Sequence, residues 1–123
     1  MLRLDDYITA LSPVPFVWGA NDCVLFATNW YKICTKRDVL AGIPQWGSEF
    51  EAARRLASLG GLEVAALKVF GPSIMKAQDG DIAYVKSPHN CLGIVKLPNI
   101  VLVAPYGLTL VDIHMGKHFW KTE

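Results

Sequence analysis

At 123 residues, 52% of them hydrophobic and 19% charged, the chain is long enough to bury a core without disulfides or metals and too apolar to be disordered. Its net charge of +1, with lysines and arginines scattered along the chain (Arg3, Lys36, Arg54, Lys68, Lys117), leaves no basic stripe to follow phosphates, so no nucleic-acid partner is expected. No apolar run approaches the ~20 residues of a membrane span, and Asp5 and Asp6 stand where a signal peptide would carry its apolar stretch, so neither a span nor secretion by that route is expected.

Leu4, Tyr7, Ile8 and Leu11 recur at helical spacing behind two acids that favour a helix N-terminus, and Ser12-Pro13 ends the pattern. Val14 to Ala20 holds two prolines and a glycine and reads as a loop. Asn21 and Asp22 are good N-cap residues for a second helix running from about Cys23 to about Cys34. Cys23, Phe26, Ala27, Trp30, Ile33 and Cys34 lie on one stripe of that helix, which marks it as central and buried. Thr35 to Gly47 is irregular. Ser48 and Glu51 make a capping box for a third helix over Glu49 to Leu59, stopped by Gly60-Gly61.

Leu62 to Phe70 fits either a strand or a helix. Short β-like runs follow at Asp81 to Lys86, Cys91 to Lys96, Ile100 to Ala104 and Leu108 to Ile113, separated by turn-forming segments. Helices first and an antiparallel meander second define an α+β chain, and no repeat or linker divides it, so residues 1–123 are expected to form a single domain.

Three cysteines, Cys23, Cys34 and Cys91, form no close pair, which points away from a disulfide framework or a zinc knuckle and fits a reducing compartment. The segment Phe16-Val17-Trp18-Gly19-Ala20-Asn21-Asp22-Cys23 delivers a cysteine to the first turn of the central helix. Amides there carry partial positive charge and lack intrahelical partners, so they stabilise a thiolate and can donate to an oxyanion. From spacing alone Cys23 reads first as a core cysteine on the apolar stripe. Asp22 reads as an N-cap whose charge opposes thiolate formation next to it, and Asp81 as a strand-entry contact. His114 and His118 read as surface or interface residues.

Trp18-Gly19, then Asp22-Cys23 entering a helix, and later Gly80-Asp81 and Leu92-Gly93-Ile94-Val95, resemble the NlpC-type branch of papain-like cysteine peptidases. The likeness is closest to small phage and prophage proteins of that fold encoded among tail genes, and it covers Asp6 to Asp112. It implies a papain-like fold, N-terminal helices packed on an antiparallel β-meander, with Cys23 in the nucleophile position. In enzymatic members a histidine opens the strand that here begins at Cys91, and a polar residue on the next strand orients it. Val101 to Ala104 offers no such group, and a thiol cannot shuttle protons as imidazole does near neutral pH. His89, two residues before Cys91, would share its strand face about 7 Å away and is the candidate substitute base.

Two readings follow. One is a structural protein of a phage tail tip or baseplate, made in the bacterial cytoplasm and carried in the virion, whose papain-like catalytic site has degenerated. Its partners would be other tail proteins, with Phe119, Trp120 and the Pro44-Gln45-Trp46 loop either as anchors or as ordinary packing. The other is an active cysteine hydrolase, a peptidoglycan peptidase or amidase acting in phage entry through Cys23 and His89. No cofactor is expected. Cys23, His89 and Cys91 could supply three soft ligands, but no second metal-binding spacing accompanies them, so no metal is expected either. In this fold Cys23 and Cys91 would face each other, and a disulfide could join them if their Cα atoms came within about 7 Å.

Overall fold

A computed structural model describes residues 3–87 and 90–122. Four helices precede a five-stranded antiparallel sheet: α1 (Leu4–Leu11), α2 (Cys23–Thr35), α3 (Glu49–Ser58) and α4 (Leu62–Phe70), then β1 (Ile82–Val85), β2 (Cys91–Lys96), β3 (Asn99–Ala104), β4 (Gly107–Asp112) and β5 (Gly116–Trp120). The α+β expectation is met, and the ambiguous stretch Leu62 to Phe70 is a helix. The order across the sheet is β4-β3-β2-β1-β5. Among the described residues no helix is long and apolar enough to cross a membrane.

Helix α2 is central because its buried residues, Phe26, Ala27, Thr28, Trp30 and Tyr31, present one broad face. That face meets Ile82, Tyr84, Leu92, Ile94 and Val101 from one side of the sheet. The Tyr7 hydroxyl donates to the Phe26 carbonyl at 2.7 Å and ties α1 to α2. The Trp30 indole donates to the Gly80 carbonyl at 2.8 Å and ties α2 to the entry of β1. Asp81 accepts from the Gln78 amide at 2.8 Å, the strand-entry contact expected of it.

The other side of the sheet is also covered. Ala83, Val85, Cys91, Val95, Ile100 and Leu102 form a second cluster, against which Cys23, Ala77 and Phe119 pack. Burial on both faces explains why β2 reads as a nearly unbroken apolar run instead of an alternating one. Gly93 in its middle has no room for a side chain: a Cβ there would come within 2.6 Å of Leu102 Cδ2 and 2.7 Å of the Val101 oxygen.

Strand β5, which the sequence pattern does not announce, decides between the two readings of Phe119 and Trp120 in favour of packing. It pairs antiparallel with β1, Ile82 opposite Trp120 and Tyr84 opposite His118. Trp120 is 2% exposed, and its indole donates to the Gly71 carbonyl at 2.8 Å, so it is a core residue and not a partner anchor. His118 is half-buried, its ring lying 6.0 and 5.9 Å from those of Tyr84 and Trp120. Only His114 is exposed as expected, bonded to Asp112 at 2.6 Å. The capping box also differs in detail. Ser48 accepts from the Glu51 amide, but Glu51 reaches back to the Gly47 amide, one residue beyond the cap.

Glu63 on α4 accepts from Lys117 and from His118 Nε2 on β5, both at 2.8 Å. These two donors, Lys117 first, hold its carboxyl down from 4.5 to about 2. A carboxyl lowered on folding contributes stability that is complete above its unfolded value and is lost as pH falls through its folded one. The unfolding midpoint should therefore decline between pH 4.5 and about 2, and Glu63→Gln should flatten that part of the profile in a pH series of thermal melts.

Candidate functional site

The loop before α2 is built by its own polar groups. Val17 and Asn21 form an isolated antiparallel bridge, and the Asn21 side-chain amide donates to the Val14 and Pro15 carbonyls at 3.1 and 3.0 Å. Gly19 turns the chain with φ +79°. Asp22 then caps α2, accepting from the Leu25 amide at 2.9 Å. Capping is the role expected of it, yet the carboxylate does more. Its second oxygen accepts from the Gly19 amide at 2.9 Å and from the Trp46 indole at 2.7 Å. One carboxylate, 1% exposed, thus fastens the loop, the helix head and the segment before α3 together.

Cys23 follows as the first residue of α2, and Cys91 is the first residue of β2. The two share one packed cluster. The Cys91 thiol donates toward the Cys23 sulfur, and that donation, with the Leu92 amide as a second donor, pulls the Cys23 pKa below the usual thiol value against the opposing effects of burial and the Asp22 charge. The same contact, together with burial, pushes the Cys91 thiol up. The two shifts run in opposite directions, which favours Cys23 as the thiolate-forming member of the pair. Of the donors that lower it, the Cys91 thiol comes first, then the Leu92 amide, then Cys23's own amide at the helix head.

Cys23 also lines a cavity of about 160 Å³ walled by Trp18, Trp46, Leu56, Leu62 and Leu92. The lining is mostly apolar, with Asp22, Thr28, Arg55, Lys68 and Asn90 its polar members. The Asn90 side chain also accepts a hydrogen bond from the Tyr84 hydroxyl.

His89, the candidate base, lies outside the described residues. The groups that set the Cys23 pKa are Cys91, the Leu92 amide and Asp22, and no described histidine is among them. His114 and His118 are engaged with Asp112 and Glu63 instead. On β3 the residues from Ile100 to Ala104 are apolar, and its one polar residue, Asn99, pairs with Lys96 at the other end of β2. Among the described residues no group of three His, Cys, Asp or Glu stands together as a metal site. Sequence reasoning did not find the Trp46 bond to Asp22 or the Leu92 amide beside Cys23. The only signal for either was a tryptophan beside a glycine in an otherwise irregular segment.

Removing the Cys91 donor removes the largest stabiliser of the Cys23 thiolate, so Cys91→Ala should raise the Cys23 pKa. Iodoacetamide modification of Cys23, followed across pH, should shift its midpoint upward and be slower at neutral pH. An unchanged profile would show that Cys91 does not act on Cys23.

Fold and site together define an α+β protein with a dithiol at the head of its central helix. The chain belongs to a family described as a domain of unknown function, DUF6950, whose model matches residues 2–122. Neither a curated protein nor a solved structure matches it.

Proposed function

We propose that this chain is an NlpC-type papain-like scaffold whose hydrolytic site has been dismantled, and that it serves as a structural protein of a phage tail tip or baseplate. The resemblance at Trp18-Gly19, Asp22-Cys23 and Gly80-Asp81 supports the scaffold and the tail setting. A helix-head cysteine apposed to the first residue of β2 is the arrangement such a scaffold requires. The observation that carries the loss of hydrolysis is Cys91: a thiol opens β2 and packs in one cluster with Cys23, where the resemblance places the histidine that accepts the proton. A general base must take the nucleophile's proton and return it to the leaving group, and a thiol with a raised pKa does neither near neutral pH.

Hydrolysis is tested by incubating the purified protein with isolated peptidoglycan and measuring released amino groups and reducing ends. Wild type and Cys23→Ala should both release nothing above buffer. Release that depends on Cys23 would overturn the reading. The tail assignment is tested separately by mass spectrometry and immunogold labelling of purified particles, and absence of the protein from particles would overturn it.

One observation favours the second reading, an active wall hydrolase. The lowered Cys23 pKa and the adjoining cavity suit a nucleophile with room for an acyl group. In that reading His89 is the base, and His89→Ala would abolish the release that Cys23 supports.

A further inference from the structure

Cys23, on the wall of a small cavity, packs in one cluster with Cys91, and two neighbouring thiols can do chemistry that needs no imidazole. Cys23 is partly accessible, whereas Cys91 is buried behind it. Cys91 is a member of one packed cluster with Val85 and Val95, and Cys23 and Phe119 pack against that cluster. Cys34 sits eleven residues further along the same helix, a rise of about 16 Å, outside the reach of either.

We propose that Cys23 and Cys91 form a two-electron thiol–disulfide couple that reduces a small hydroperoxide, with Cys23 as the attacking and Cys91 as the resolving sulfur. The cavity of about 160 Å³ onto which Cys23 opens leaves room beside the sulfur for a small oxidant such as hydrogen peroxide.

The chemistry balances in two steps. The Cys23 sulfur attacks one peroxide oxygen; an S–O bond forms, the O–O bond breaks, and the departing hydroxide takes the proton that Cys23 gave up, leaving as water. Cys23 is then a sulfenic acid. The Cys91 sulfur next attacks the Cys23 sulfur; an S–S bond forms, the S–O bond breaks, and the second hydroxide leaves as water with the Cys91 proton. Two thiols lose two electrons, and one peroxide becomes two waters. The contact between the side chains means the second step needs only closure to the covalent distance of about 2 Å. The order of attack follows from accessibility and from which sulfur forms the thiolate.

The bond would fasten the head of α2 to the start of β2 across a long loop of chain, so the oxidised form should be the more stable one. This inference stands on the sulfur pair and the cavity, and it holds whether or not the chain is a papain-like tail protein.

The test uses the reduced full-length protein and one equivalent of hydrogen peroxide, followed by alkylation and peptide mapping by mass spectrometry. Titratable thiols should fall from three to one, leaving Cys34 alkylated and the Cys23 and Cys91 peptides linked within a monomer. The unfolding midpoint should rise by about 10 °C. In Cys91→Ser the reaction should stop at a Cys23 sulfenic acid that dimedone captures, while Cys34→Ser should still form the bridge. A bridge made through Cys34, a link between two chains, or three intact thiols in the wild type after peroxide would each overturn the proposal. The wild-type result needs no variant, so a variant that misfolds does not protect the idea.

Discussion

Replacing Asp22 by alanine is expected to lower the stability of the fold by about 3 kcal/mol, seen as a fall of about 10 °C in the unfolding midpoint. The magnitude follows from what the carboxylate holds. Loss of an N-cap acceptor alone costs about 1 kcal/mol. Here the same side chain also satisfies the Gly19 amide and the Trp46 indole, and donors that lose a charged acceptor at a buried site add to that cost. Two further variants separate the contributions. Asp22→Ser retains an acceptor short enough for the Leu25 amide but not for Trp46, so it should recover about 1 kcal/mol of the loss. Trp46→Phe removes one donor and should cost about 1 kcal/mol. A midpoint for Asp22→Ala within a degree of wild type would show that the carboxylate is not what joins the three segments.

Asp22 also shows where a sequence is legible and where it stops. Its role as a cap is local, because the acceptor and its Leu25 donor are three residues apart, and the pattern of Asp before a buried stripe is enough to find it. The stripe itself, through Phe26, Ala27 and Trp30, put α2 at the centre for the same reason. The bond to Trp46 spans 24 residues of irregular chain, and no periodicity announces it. Cys91 was legible as the first residue of a strand apposed to Cys23 only through a family resemblance. That its thiol is the first donor to Cys23 depends on side-chain approach, which spacing does not encode.

Strand β5 was lost for a related reason. Gly116-Lys117-His118-Phe119-Trp120 is short, carries two basic side chains, and pairs with β1, more than thirty residues upstream. Pairing at that separation leaves no mark in a local window. The outward placement of Lys117 and the inward placement of Trp120 look, in one dimension, like a polar tail with aromatic ends. Leu62 to Phe70 was ambiguous for the opposite reason. It is apolar enough for a buried strand, and only its packing, Leu62 and Ala66 buried one turn apart, decides for a helix. The faces that meet α2 and Cys23 therefore rest partly on elements whose identity is set by distant neighbours.

Gly19→Ala is expected to destabilise the protein by about 3 kcal/mol and to loosen the site along with it. Two costs combine. The φ of +79° at Gly19 disfavours any L side chain by about 1 kcal/mol. A Cβ there would also stand 1.9 Å from the Trp46 carbonyl oxygen, which is main chain and cannot rotate aside, so the segment carrying Trp46 must move. Gly42 is the internal control. Its φ is +82°, and a Cβ there would meet nothing within 4 Å, so Gly42→Ala should cost only the conformational share, about 1 kcal/mol. Because Trp46 both abuts Gly19 and donates to Asp22, the double variant Gly19→Ala with Asp22→Ala should lose less than the sum of the singles. Displacing Trp46 also removes one wall of the cavity onto which Cys23 opens. Alkylation of Cys23 in Gly19→Ala should thus be faster than in wild type, while in Gly42→Ala it should not change. Equal midpoints for the two glycine variants would show that the close approach of the two loops does not constrain the head of α2.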